Sequence, residues 1–229
     1  MEPLIAALRF IHVVAGTTAL FVAPIPMLTA KGGRTHRRWG QVYFWAMAVV
    51  AATAFVLALW TPVVFLALLA VFSFYMALYG YRALFRKRPH EGQGALPLDW
   101  VAAGAMLAAS AAMAVLGVMR PSPAWERVGI VPVVFGVFGM GLAGLDLRRF
   151  ARRPADPNAW WFAHMRGMLA SYIATVTAFS VVNFTFLPTT VRWLWPIGVG
   201  TPLIVAWITY YKTRFRRSAR ASVQIASPR

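Results

Sequence analysis

"AKGGRTHRRWGQVYFWAMAVV", Ala30 to Val50, sets four cations (Lys31, Arg34, Arg37 and Arg38) and one histidine (His36) directly before a long apolar run. This is the pattern of a helix entering a bilayer: Lys and Arg stay at the interface while about 20 apolar residues cross roughly 30 Å of hydrocarbon. The pattern recurs along the chain. Apolar segments run from Leu4 to Thr29, Trp39 to Trp60, Pro62 to Leu84, Leu98 to Met119, Val128 to Leu147, Trp160 to Asn183 and Val191 to Tyr211. Backbone groups cannot remain unpaired in lipid, and the alternating polar and apolar strands of a barrel are absent, so the segments are expected to be helices. The expected fold is an all-α integral membrane bundle of seven transmembrane helices. It forms a single domain over residues 1–229 with a short basic tail over 212–229.

Composition excludes other classes. Of 229 residues, 60% are hydrophobic and only 6 are acidic, and the formal net charge is +17. Basic character could signal nucleic acid, but the cations fall in short clusters between apolar runs rather than on a soluble scaffold, so no nucleic-acid partner is expected. With no cysteine, disulfides, thiolate metal sites and Cys nucleophiles are all excluded. The start, "MEPLIAALRFIHVVAG", has an acid where a signal peptide carries basic residues, and reads as a first span. Pro24 and Pro26 in "APIPML" are expected to kink or end that helix, and Trp60, Thr61 and Pro62 to turn the chain between the second and third spans.

Orientation follows from the cations. Lys31, Arg34, Arg37 and Arg38 lie in loop one; Arg82, Arg86, Lys87 and Arg88 in loop three. Loop five holds Arg148, Arg149, Arg152 and Arg153 with Arg166 beyond, and the tail holds Lys212, Arg214, Arg216, Arg217, Arg220 and Arg229. These are 19 of the 23 cations; Arg9, Arg120, Arg127 and Arg192 fall toward the other face. The positive-inside rule then gives N-terminus out and C-terminus in, in a bacterial inner membrane whose anionic cytoplasmic leaflet is the chain's first partner.

Several strings, "KGGRTHRRWGQVYFWAM", "FLALLAVFSFYMALYGYRAL", "LDW", "GLDLRRF", "WWFAHMRGMLASYIATVTAFSVVN" and "WLWPIGVGTPLI", resemble the DUF2306-like bacterial membrane proteins, over His12 to Ile204. The resemblance implies a polytopic membrane fold and carries no activity with it.

Chemistry must come from polar residues at membrane depth. A retinal Schiff base needs a lysine inside the last span, and Lys212 lies at its end. H-x-x-x-H pairs, phosphate loops, G-x-S-x-G elbows and E-x-x-H motifs are missing. His36, Asp99, Asp146, His164 and Arg166 all fall near the cytoplasmic level and are candidates for one inner-face site, with His36 and His164 as metal or haem ligands and an aspartate completing or orienting them. His12, eight residues into the first span, is expected roughly 12 Å below the outer surface, with Arg9 on its face. A depth difference of roughly 10 Å along the normal argues against pairing it with His164. His164, Ser171 and Thr175 form a polar stripe, which can equally serve helix packing. His36 among four cations, Asp146 beside Arg148 and Arg149, and Asp99 at a helix start also have purely structural readings, and His90 reads as a loop residue.

Three functions fit these residues. One is a redox or metal-related protein holding haem or a divalent ion in a cytoplasmic-side pocket. Another is a small-solute transporter using Arg9 and His12 outside and the inner cluster inside. The third is a non-catalytic accessory or assembly subunit that meets other membrane subunits through small-residue faces such as Gly136 and Gly139.

Overall fold

The computed structural model describes residues 2–60, 63–88, 91, 93–152 and 156–226. Thr61, Pro62, His90, Arg153 and Arg229 lie outside the described residues. Among the described residues the chain is helical and has no strand. The helices are α1 (Glu2–Val22), α2 (Pro24–Leu28), α3 (Arg34–Trp60), α4 (Val64–Arg82), α5 (Pro97–Met119), α6 (Pro123–Val128), α7 (Val131–Arg152), α8 (Ala159–Asn183) and α9 (Thr189–Ala226), with a 3-10 turn, Ala83–Phe85, extending α4. Seven spans are long and apolar enough to cross a membrane, with α1 and α2 together making the first. The protein is a multi-pass membrane protein.

Helix ends depart from the apolar segments in an instructive way. The first span breaks between Val22 and Pro24, because Pro24 and Pro26 have no N–H to donate and their rings crowd the preceding turn. Helix α3 begins at Arg34, five residues before the apolar run, since cationic side chains tolerate helix geometry in the headgroup layer as readily as apolar ones do in the core. His36 therefore sits in the first turn of a helix rather than in a loop. Val128 belongs to the short α6, which Gly129 ends with φ +58, so the fifth span starts at Val131. The basic tail continues α9 as helix to Ala226.

Helix α4 is the centre of the bundle, packing against α3, α5 and α8; α1 packs on α3, α5 on α7, and α8 on α9. One apolar cluster joins Phe72, Met106, Met113, Phe135 and Trp193 across α4, α5, α7 and α9. A second joins Ala19, Tyr43, Phe44, Met47 and Ala77 across α1, α3 and α4. Glycines set the two closest approaches. Gly136 and Gly139, expected on an exposed small-residue face, are instead buried where α7 lies on the Ala-rich α5: a Cβ on Gly136 would come 2.6 Å from the Ser110 carbonyl oxygen. Their small size is used inside the bundle, where two backbones meet.

Candidate functional site

The second close approach builds the site. Where α8 crosses α4, Gly167 and Gly80 face each other so tightly that a Cβ on Gly167 would lie 2.6 Å from the Gly80 Cα. One turn earlier on α8, His164 is thereby brought to the Gly80 carbonyl, and its Nδ1 donates to that oxygen at 2.9 Å. His36 is held in the same manner by a different element. The proline-broken end of the first span leaves the carbonyls of its last turn without helical donors, and His36 Nδ1 donates to the Pro26 oxygen at 2.9 Å. A carbonyl only accepts, so both Nδ1 atoms carry their protons, and in each neutral ring Nε2 bears the free lone pair. The two ring centroids are 6.2 Å apart with planes inclined at 68°.

Both imidazoles line one cavity of about 470 Å³ at the end of the bundle that carries the basic clusters. This volume falls in the range of ~300–1,000 Å³ typical of small-molecule and cofactor sites. Its walls are apolar and aromatic: Met27, Tyr43, Tyr81, Trp160, Trp161, Met168 and Trp207 all contribute. Its charged lining residues are Lys31, Arg37 and Lys87, and among the described residues no carboxylate lines it. Lys31 caps the broken helix, donating to the Pro26 oxygen at 3.1 Å and to the Met27 oxygen, and its ammonium lies 5.9 Å from the Trp207 ring. Partial burial holds the Lys31 ammonium below the usual lysine range. Lys87 lies 5.4 Å from the Trp160 ring.

Tyr43, two turns along α3 from His36 on the same face, closes the cavity from the bundle side. Its hydroxyl is buried, 2.7 Å from Ser171 Oγ and 3.4 Å from Thr175 Oγ1. The stripe of Ser171 and Thr175 below His164 thus ties α8 to α3, while His164 at its end faces the cavity.

The aspartates do not join them. Asp99 opens α5, accepts the Leu96 N–H at 2.9 Å, and holds Arg82 through two bonds of 3.0 and 3.1 Å, with Arg86 3.2 Å away. Asp146 is buried on α7 and accepts from Tyr75 at 3.0 Å, Arg166 at 2.5 Å and Arg149 at 3.3 Å. Arg166 also donates to the Tyr79 hydroxyl at 2.5 Å. The five residues expected at one inner-face site therefore divide into a histidine cavity, an Asp146–Arg166 pair and an Asp99–Arg82–Arg86 trio. Where arginines outnumber carboxylates, each buried acid is taken up by a guanidinium: Arg82 forks onto both oxygens of Asp99, while at Asp146 the arginines meet Oδ1 and Tyr75 donates to Oδ2. Among the described residues no group of three His, Asp or Glu could hold a metal ion, so neither aspartate completes an ion site with the imidazoles.

His12 is further away than expected. Its Nδ1 is 2.9 Å from Thr53 Oγ1, and Thr53 is 17 residues up α3 from His36, a separation of about 25 Å along the helix rather than the roughly 10 Å expected between His12 and His164. The first two spans are 27 residues each, about 40 Å of helix against roughly 30 Å of hydrocarbon, which widens the separation. Arg9 is exposed near the start of α1.

The parts of the site that the apolar pattern hides are Lys31, Lys87, Tyr43 and the two accepting carbonyls. Tyr43 carried a signal, since it lies seven residues after His36 and so on the same helix face. The carbonyls carried none beyond Pro26 and Gly80 themselves.

The chain matches no protein-family profile, no curated protein and no solved structure. Fold and geometry define a seven-span helical membrane protein with a paired-imidazole cavity at one end. Any functional reading rests on that geometry.

Proposed function

We propose that the protein is a membrane haem protein in which His36 and His164 are the two axial ligands. The observation that carries this reading is the pair of imidazoles, each fixed through Nδ1 to a backbone carbonyl and set 6.2 Å apart in one cavity. Two imidazoles on opposite sides of one metal atom, bonded at about 2.0 Å each, put their ring centroids roughly 6 Å apart. A bare ion would require a third or fourth protein donor, whereas a porphyrin brings four nitrogens and asks the protein for two. The carbonyl bonds hold each ring's orientation and increase the basicity of Nε2. The chemistry supplied would be one-electron transfer at the bilayer surface. The cation distribution supports reading this end as the cytoplasmic side of a bacterial inner membrane.

The test is a titration of the purified full chain with haem, followed by absorption spectroscopy. The expected result is a six-coordinate, low-spin spectrum that is lost in both His36→Ala and His164→Ala and kept in His12→Ala. Gly40 lines the cavity, and a Cβ there meets nothing within 4 Å, so Gly40→Leu should fold normally and weaken binding by filling space. A spectrum retained in His164→Ala, or no spectrum in the unaltered protein, would overturn the reading.

A further inference from the structure

The cavity's charge points to the polar half of its ligand. Lys31, Arg37 and Lys87 line it and no carboxylate does among the described residues. The buried carboxylates at this end of the bundle, Asp99 and Asp146, are already held by arginines. Three cations facing one space repel each other, and an apolar ligand would leave that repulsion uncompensated. Two of them are also placed by aromatic rings: Lys31 lies over Trp207 and Lys87 over Trp160, which holds the ammoniums at the rim while the aromatic faces continue the apolar wall inward. The result is an amphipathic slot with cations at its mouth and imidazoles within.

We infer that the rim is a carboxylate subsite: Lys31 and Lys87, with Arg37 beside them, receive the paired carboxylates of the ligand, so the site selects a planar apolar molecule with an anionic edge. This rests on the haem reading and deepens it, because free propionates at one edge of a porphyrin have that form. Lys31 is the central member, since its two carbonyl bonds fix the ammonium in place before the ligand arrives. Its ammonium also joins the subsite to Pro26, whose carbonyl orients His36.

The experiment compares protoporphyrin IX with its dimethyl ester, both free of iron, by quenching of the fluorescence of Trp160, Trp161 and Trp207 in the full chain in detergent. The two differ only in whether the edge is charged, and neither depends on ligation through iron. The free acid is expected to bind at least tenfold more tightly than the ester. Lys87→Ala should reduce that preference severalfold, and the double change Lys31→Ala with Lys87→Ala should abolish it. Removing Lys31 uncaps a helix end, so Lys87→Ala is the variant in which folding is least at risk. Arg38→Ala, which removes the same charge from a neighbouring position outside this cavity, should leave the preference intact. Equal binding of acid and ester, or a preference lost equally in Arg38→Ala, overturns the subsite. A charge preference without any bis-imidazole spectrum on adding haem overturns the haem reading and leaves the subsite standing.

Discussion

A methyl group added at Gly167 probes the geometry on which the site depends. On Gly167, Cβ would lie 2.6 Å from both Cα and N of Gly80 and 2.9 Å from the Met76 oxygen, and ordinary contacts of this kind begin at 3.4 Å. All three neighbours are backbone atoms, so no side chain can swing away and the two helices must separate by roughly 1 Å. His164 is one turn away on the same helix. Its 2.9 Å bond to Gly80 would stretch beyond the 3.5 Å at which such a bond ceases to count. Overpacking costs about 1–3 kcal/mol and the lost bond about 1 kcal/mol more. Alanine returns at most about 1 kcal/mol of helix propensity. The expected net destabilisation of Gly167→Ala is about 2 kcal/mol. Gly104→Ala and Gly141→Ala are the controls, because a Cβ at either meets nothing within 4 Å, and both should be neutral or slightly stabilising. The assay is thermal unfolding of the purified full chain in detergent, with the haem titration run in parallel. If Gly167→Ala unfolds no earlier than Gly141→Ala and binds as the unaltered chain does, the backbone crossing does not position His164 and the reasoning is refuted.

Three further outcomes are expected. Asp146→Asn removes the charge that Arg166 and Arg149 face; both arginines keep some access to solvent, so the loss is that of a charged hydrogen bond, about 1.5–3 kcal/mol, and the unfolding midpoint should drop about as far as in Gly167→Ala; a shift within that of the controls would show that Asp146 is not the anchor of α7 to α8. A reporter fused after Arg229 should read cytoplasmic and one inserted between Pro121 and Ala124 should read on the far side, with the reverse pattern placing the cavity on the outer face. The affinity for the free-acid porphyrin should be full near neutral pH and fall as pH rises through the lowered pKa of Lys31, at a lower pH than an ordinary lysine would give. In Lys31→Ala the fall should move to higher pH. His36, Arg37, Lys87 and His164 share the cavity, and the variant separates the contribution of Lys31 from theirs.

Much of this fold could be read from hydropathy alone, for a physical reason. A bilayer leaves a chain of this composition few options, and each span must close its own hydrogen bonds. The apolar runs therefore locate seven helices, and the proline pair locates the break between α1 and α2. What hydropathy cannot report is where a helix stops once it has left the hydrocarbon, because lysine and arginine are good helix formers. That blind spot moved His36 from a loop into α3 and lengthened the distance from His12 to the cavity. Close packing was equally hidden: Gly136 and Gly139 look alike whether they face lipid or α5, and only the position of α5 distinguishes the cases.

The site shows the same division between residue chemistry and partner choice. His36 and His164 could be named together because both lie at one level of the membrane, and a shared level is most of what a two-ligand site needs. Asp99 and Asp146 satisfied the same condition and went elsewhere. A carboxylate near the interface can meet an imidazole or a guanidinium, and the choice follows from supply. Arg82 on α4 and Arg86 just past its 3-10 extension meet Asp99, and Arg149 on α7 and Arg166 on α8 meet Asp146, with Arg82 reaching both oxygens of Asp99. Imidazoles, left without carboxylates, turned to backbone carbonyls made available by a proline break and by a glycine crossing. The acids hold the bundle together. The histidines are thereby left with one nitrogen fixed and one free, each facing a cavity whose remaining charges are all positive.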